Sequence, residues 1–315
     1  MEVRFWGTRG SLPAPLNAQG VRKKIVAALS EAVHKGLSGA AGIEALVDSL
    51  SFSVRGTFGG NTACVEIVNG SEAVFCDAGS GLRDYALHGP KSPEGRRDYH
   101  IFLSHLHWDH ICGFPFFTPA YVPGNRVFIY GCHSNMREAF AFQQSDPHFP
   151  VSLSSMGAEI SFTTLEPGRG YDIAGFRVTA LGQEHPGGSF AYSFSRAGRK
   201  MVYATDVELR DQPDKKDLPI HSLIQECDLL IFDAQYSYLE AMVTKENWGH
   251  SSNLIAVELA VASGVKTLAL FHHDPAATDE DLARTLTLTR EYLSIHAPQS
   301  AMSVYMAYDG MFLSI

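Results

Sequence analysis

The chain lacks the signatures of several protein classes. Its five cysteines (Cys64, Cys76, Cys112, Cys132 and Cys227) are an odd number with no C-x-x-C pair among them. That pattern argues against a disulfide framework and against a thiolate-held structural zinc, and it leads us to expect buried, reduced thiols. No run of about 18 apolar residues occurs, so no membrane-spanning helix is expected. The N-terminus, MEVRFWGTRGSLPAP, has no basic stretch followed by an apolar run, so no secretory leader is expected and a cytoplasmic location is. Basic charge is also scarce: 25 Lys and Arg stand against 34 Asp and Glu, a formal net charge of −9. Long nucleic acid is therefore not the expected partner, because surfaces that follow its backbone carry a basic excess. A small anion held through bound cations remains open, since local charge then outweighs global charge.

What is present is an ordinary globular balance, 45% apolar and 19% charged over 315 residues. Without a low-complexity linker, residues 1–315 read as one domain. The segment 21–37 places Val21, Ile25, Leu29, Ala32 and Val33 at helical spacing, and residues 43–50 suggest a second short helix. Residues 16–56 are accordingly read as a helical insertion. Strand-like runs rich in Val, Ile and Phe follow at 63–68, 72–79, 100–107 and 123–131, with a helix around 134–144. The second half repeats the grammar with strands at 159–165, 176–185, 190–195, 200–206, 228–236 and 266–275. Helices are expected at 250–264 and 278–296, the latter capped by Thr278. Two sheets covered by helices, an α/β arrangement, are the expected outcome.

Polar residues gather at the exits of these strands. LSHLHWDHICG (103–113) packs His105, His107, Asp109 and His110 into six positions. His185, Asp206 and Asp233 follow later strands, His250 opens a helix, and His272 and His273 follow the run KTLAL. Strands give rigid aim, and the loops beyond them leave room for substrate. Imidazole and carboxylate together suit zinc or a similar divalent ion. Four donors from one segment and several from elsewhere exceed a single tetrahedral shell, so two ions are expected. Within the motif, Trp108 is read as a packing residue and Cys112 as a small buried thiol.

This order of motifs resembles the metallo-β-lactamase superfamily, and most closely its phosphodiesterase branch, which includes ribonuclease Z and the PhnP-like cyclic phosphodiesterases. GTRGS, FGGNTACVEI, DAGSGLR, HLHWDH, EHPGGSFAY, YATD, FDAQY, GHSS and LFHHDP carry the resemblance over nearly the whole chain. It implies a four-layer αββα sandwich with a dinuclear site. On that pattern His105, His107 and His185 hold one ion, and Asp109, His110 and His272 hold the other. Asp206 would bridge them opposite a shared hydroxide, and His272 rather than His273 takes the last position. Asp77 matches a carboxylate that orients the histidines. The resemblance also pairs Asp233 with His250 for proton transfer to the leaving oxygen, although His250 could instead cap its helix. Catalytic roles are thus expected for His250, Asp233 and Asp109.

Two features depart from the branch. There is no long Gly/Pro-rich insert of the kind ribonuclease Z uses to grip tRNA, and the PhnP cysteine cluster is missing. The expected activity is hydrolysis of a small phosphodiester such as a cyclic nucleotide, by a hydroxide on two divalent ions: zinc, with manganese or iron as alternatives. A ribonuclease Z-like RNA endonuclease, a thioester or lactone hydrolase, and a non-catalytic metal-dependent sensor are the other readings. Ser251, Asn253 and Asn61 are candidate substrate contacts. The insertion 16–56 is read as a cap over the site, a homodimer face or simple packing.

Overall fold

Alternation along the strands builds the two faces of each sheet. In the run 201–204, Met201 and Tyr203 enter one apolar layer while Val202 and Ala204 enter another, and all four are fully buried. The computed structural model describes residues 1–37, 39–70, 72–90, 97–209 and 214–315. In chain order the elements are β1 (Glu2–Gly7), α1 (Ala18–His34), α2 (Ile43–Ser49), α3 (Phe52–Arg55), β2 (Cys64–Asn69), β3 (Glu72–Cys76) and α4 (Gly81–His88). Next come β4 (Asp98–Phe102), α5 (Trp108–Ile111), β5 (Arg126–Gly131), α6 (Met136–Gln143) and β6 (Glu159–Thr164). The second half contains β7 (Gly170–Ile173), β8 (Phe176–Gln183), β9 (Ser189–Arg196), β10 (Arg199–Ala204), α7 (His221–Ile224), β11 (Leu229–Asp233) and α8 (Asn253–Ala262). It closes with β12 (Thr267–Phe271), α9 (Asp279–His296), β13 (Ser303–Met306) and β14 (Phe312–Ser314).

These strands form two seven-stranded sheets, in the orders β14-β1-β2-β3-β4-β5-β6 and β13-β12-β11-β10-β9-β8-β7. Each is antiparallel at one end and parallel at the other: β3 to β6 run parallel in the first sheet and β10 to β13 in the second. The parallel strands are covered on both faces, so Leu229, Leu230, Ile231 and Phe232 are all buried in one unbroken apolar run. Phe5, Val65 and Phe102 meet Phe194, Tyr203 and Phe271 between the sheets. Outside the second sheet, Phe232 and Leu270 pack on Ile255 and Leu259 of α8 and Leu293 of α9. Outside the first, Phe75 and Ile101 pack on Leu82 and Tyr85 of α4 and Phe140 of α6. The result is the expected four-layer αββα sandwich. Each fully buried Phe or Leu in these layers contributes about 1.5–3 kcal/mol.

Most predicted elements form with trimmed ends, because the residues after each strand turn away toward the site. Thr278 caps α9 in a capping box with Asp281. The cap of α8 is Ser252 rather than His250, which leaves the imidazole available. The helices expected within residues 16–56 form, but the amphipathic stripe of α1 faces outward. Val21, Ile25, Leu29 and Val33 are 45–81% exposed, while Lys24 on another side of α1 pairs with Asp279 of α9 at 2.7 Å. Three short strands, β7, β13 and β14, went unrecognised because they are too brief for a clear period. No described helix is long and apolar enough to cross a membrane.

Candidate metal centre

Loops from both sheets converge at one place. The HLHWDH stretch leaves β4, Asp77 directly follows β3, and His185, Asp206 and His272 come just after β8, β10 and β12. Asp77, Asp206 and His272 all adopt left-handed backbone, with φ of 61°, 53° and 61°. Outside glycine this region is rare, and Asp and His enter it more readily than most residues. Backbone strain of this kind collects at functional sites.

The donors fall into two groups around Asp206. Its Oδ2 lies 3.6 Å from His105 Nε2 and 3.8 Å from His185 Nε2, and His107 Nδ1 lies 3.2 Å from His185 Nε2. Its Oδ1 lies 3.3 Å from both His110 Nε2 and His272 Nε2. Those two nitrogens are 3.2 Å apart, and Asp109 Oδ2 stands 3.1 Å from the first and 3.2 Å from the second. One carboxylate therefore presents one oxygen to each group.

The surrounding protein sets the tautomers that this arrangement needs. Neutral His105 donates from Nδ1 to Ser104 Oγ at 3.0 Å, and His110 donates to Asp77 Oδ2 at 2.7 Å. His185 donates to the Gly249 carbonyl and His272 to Gln235 Oε1, each at 2.8 Å. With Nδ1 engaged in this way, each of these rings directs its Nε2 inward. His105 Nε2 is buried with no hydrogen-bond partner. Lone pairs and carboxylate oxygens facing one another at 3.1–3.8 Å repel unless a cation lies among them. The donor set therefore fits divalent ions.

Electrostatics agree with this. Burial lowers the pKa of His105, His107 and His185 and keeps them neutral, as ligands must be. Burial acts in the same sense on His110, but Asp109, Asp206 and Asp77 outweigh it and raise its pKa. That ring sits where positive charge is wanted, and a divalent cation would take the proton's place.

Asp77 organises the layer behind the ligands. Wholly buried, it accepts from Ser104 N, Ser104 Oγ, His110 Nδ1 and Tyr203 OH, each at 2.7 Å. Nothing in the sequence singled out Ser104, Tyr203 or Gln235 for these roles. An Asp77→Asn variant keeps a residue suited to φ 61° but turns an amide N–H toward three donors. It is expected to lose about 10–100-fold in metal affinity. Competition titration with a chromophoric chelator checks this, and unchanged affinity would mean that Asp77 does not set the tautomer of His110.

His250 lies beside this cluster. Its ring stacks on His272 with centroids 5.0 Å apart, and its Nδ1 lies 2.7 Å from Asp233 Oδ2. Burial alone would lower its pKa, but the Asp233 carboxylate reverses the sign and lifts it to about 9. Asp233 also accepts from Gln235 N at 3.0 Å and Val207 N at 3.3 Å, so its oxygens are held by the protein. The loop before His250 is fixed by Glu208, which accepts from Asn247 N and Gly249 N at 2.7 and 2.8 Å. Gly249 has φ 87°, and a Cβ there would come within 2.1 Å of His185 Nδ1, so only glycine brings its carbonyl this close to the ring.

His272 rather than His273 enters the cluster, in line with the resemblance. His273 turns away and places Nε2 2.7 Å from the Ala307 carbonyl, while burial drives its pKa down to about 3. Ser251 is fully buried, donates to Val207 O at 2.6 Å and accepts from Leu209 N at 3.0 Å. Asn253 is buried against Thr289 Oγ1 at 2.6 Å. Asn61 donates to Asp84 at 2.8 Å and accepts from Ser80 at 3.0 Å. All three candidate substrate contacts thus have hydrogen-bond partners within the protein. Trp108 is 74% exposed and does not pack beside the motif. Cys112 is only partly buried, with its Sγ 3.7 Å from Thr62 Oγ1.

Comparison with known proteins adds independent findings. The family model for the beta-lactamase superfamily domain matches residues 73–273. Ribonuclease Z of Thermoplasma acidophilum is 24% identical over 233 residues, covering 57% of this chain and 70% of that protein. Ribonuclease Z of Exiguobacterium sibiricum is 23% identical over 175 residues, covering 55% of each, so the chain spans about half the length of this second relative. Among solved structures, the metallo-beta-lactamase fold protein YhfI of Bacillus subtilis has a TM-score of 0.62 at 17% identity, over 99% of both chains. The short form of human tRNase Z has a TM-score of 0.61 at 21% identity, over 100% of this chain and 99% of that one. A diphosphatase of the PhnP family gives 0.61 at 17% identity, over 99% and 96%. At these identities the structural likenesses establish the fold.

Proposed function

The chain belongs to the beta-lactamase superfamily, and from that premise we propose that it is a metal-dependent hydrolase of a small phosphodiester such as a cyclic nucleotide. The observation that carries the reading is Asp206, with one oxygen toward each histidine group, beside the His250–Asp233 pair. In this reading residues 1–315 work as a single domain. His105, His107 and His185 would hold one divalent ion, Asp109, His110 and His272 the other, and Asp206 both. Zinc suits these donors best, with manganese or iron as alternatives. When bound, such a pair lowers the pKa of a water and neutralises charge on a phosphoryl group.

The chain's own residues supply the rest. The carboxylates Asp109 and Asp206 set the charge of the site and so its preference for cations over a bare anion. Asp233 fixes Nδ1 of His250 and stabilises its protonated form, which leaves Nε2–H to donate to the departing oxygen. Asp77, Gln235 and the Gly249 carbonyl hold the imidazoles in one orientation while substrate enters. A ribonuclease reading is favoured by the ribonuclease Z relatives and opposed by the net charge of −9.

Assay of the metal-loaded protein in parallel on a nucleoside 2′,3′-cyclic phosphate, bis-(p-nitrophenyl) phosphate, a lactone and a tRNA precursor tests the assignment. Turnover of the two small phosphodiesters is expected. Activity on the lactone alone would sink it, and preferential 3′ cleavage of the precursor would establish the ribonuclease reading.

A further inference from the structure

The chain has three tryptophans, and they are treated very differently. Trp6 is half-buried, with its ring against Tyr85 at 5.4 Å and its Nε1 donating to Glu66 at 2.9 Å. Trp108 and Trp248 are 74% and 60% exposed. Both adjoin the candidate metal centre. Trp108 lies between His107 and Asp109, and Trp248 directly precedes Gly249, whose carbonyl accepts from His185. His107 and His185 are in contact at 3.2 Å, and His185 meets the Gly249 carbonyl at 2.8 Å, so two contacts and two chain-neighbour steps link the tryptophan residues: Trp108, His107, His185, Gly249, Trp248.

The Trp248 side is a built lip. The segment from Gln235 to Gly249 starts at the partner of His272 and ends at the partner of His185. It carries a π-helical turn at Glu240–Thr244, a distortion that concentrates at functional sites. Leu239 and Val243 on it are 68% and 64% exposed, yet Lys245 anchors it over the Tyr236 ring at 4.0 Å and to Asp274 at 3.2 Å. Trp108 and Trp248 are thus large aromatic side chains left in water on residues that adjoin candidate ligands and their partners in the chain.

We propose that Trp108 and Trp248 bind the planar aromatic base of a nucleotide whose phosphodiester lies at the metal centre. The inference rests on the phosphodiesterase reading and narrows its substrate class to base-bearing molecules. An indole presents a wide, rigid π-face that gains most from a flat ring, and base–aromatic stacking needs no hydrogen-bond code. The phosphate is drawn to the cation site while the base occupies the apolar rim, so anionic and flat parts of one small molecule meet complementary surfaces.

Kinetics on two cyclic phosphates test it, using a nucleoside 2′,3′-cyclic phosphate and the base-free glycerol 1,2-cyclic phosphate. The ratio of kcat/KM between the two is expected to fall at least about fivefold in Trp108→Ala and in Trp248→Ala. Phenylalanine at either position is expected to preserve most of the ratio. A ratio unchanged in both alanine variants overturns the proposal even with phosphodiester cleavage intact. No turnover of either substrate by the wild type sinks the phosphodiesterase reading instead, and a binding measurement then decides the role of the tryptophans. AMP is expected to quench the emission of the exposed indoles, and ribose 5-phosphate at equal concentration to leave it unchanged. Equal responses to the two overturn the proposal.

Discussion

A His250→Ala variant is expected to retain both metal ions and yet lose about 10²–10⁴-fold in kcat on a cyclic nucleotide, the range of a positioned general acid. His250 sits one ring away from the ligands, stacked on His272, and its Nδ1 is committed to Asp233, whose own oxygens are also bound to backbone N–H groups. Removing the imidazole leaves the seven candidate ligands and their partners in place, so metal content should not change. The loss should depend on the leaving group. A ribose oxygen needs a proton to depart and p-nitrophenolate does not, so bis-(p-nitrophenyl) phosphate is expected to lose far less. Elemental analysis together with kinetics on both substrates provides the check. Equal losses on the two substrates would remove His250 from proton transfer, and a loss of metal would make it a ligand.

Asp206→Asn is expected to have a larger effect through a different route. Asparagine accepts the left-handed backbone at this position, so the loop should survive. The substitution removes the one charge offered to both histidine groups and puts an amide N–H where an oxygen lone pair stood. Bound metal is expected to fall from two ions per chain to one or fewer. The kcat should fall roughly 10³-fold or more, as when several kcal/mol of stabilisation of developing charge is lost. Metal-to-protein stoichiometry after dialysis, with melting temperature as a control for folding, reads this directly. Two ions held with undiminished affinity would show that Asp206 does not join the two halves.

How much of this could be read in the residues differs from one part of the site to another. HLHWDH announced metal chemistry unaided, because packing has no use for four donors in six positions. His185, Asp206 and His272 were legible as polar residues at the ends of apolar runs, where a strand stops being buried. Asp233 and His250 were paired from motif resemblance, and the 2.7 Å contact bears that pairing out. Ser104 and Tyr203 escaped notice since a hydroxyl on a strand looks like ordinary alternation. Ser251, Asn253 and Asn61 were assigned to substrate by their neighbourhood, although a polar side chain near a motif can equally satisfy its own loop.

By itself, the sequence determined the chemical type of the centre and the two-sheet architecture. Donor identity and apolar period are local properties of the chain. Only the tertiary structure decided direction. Periodicity located the apolar stripe of α1 but not that Val21 to Val33 face water, and spacing placed Trp108 in the motif but not on the outside. It likewise separated His272 from His273, adjacent residues of one type, by sending one ring into the cluster and the other to the Ala307 carbonyl. The physical reason is that a side chain's role depends on which partners meet it in space, and those partners come from strands and loops distant along the chain.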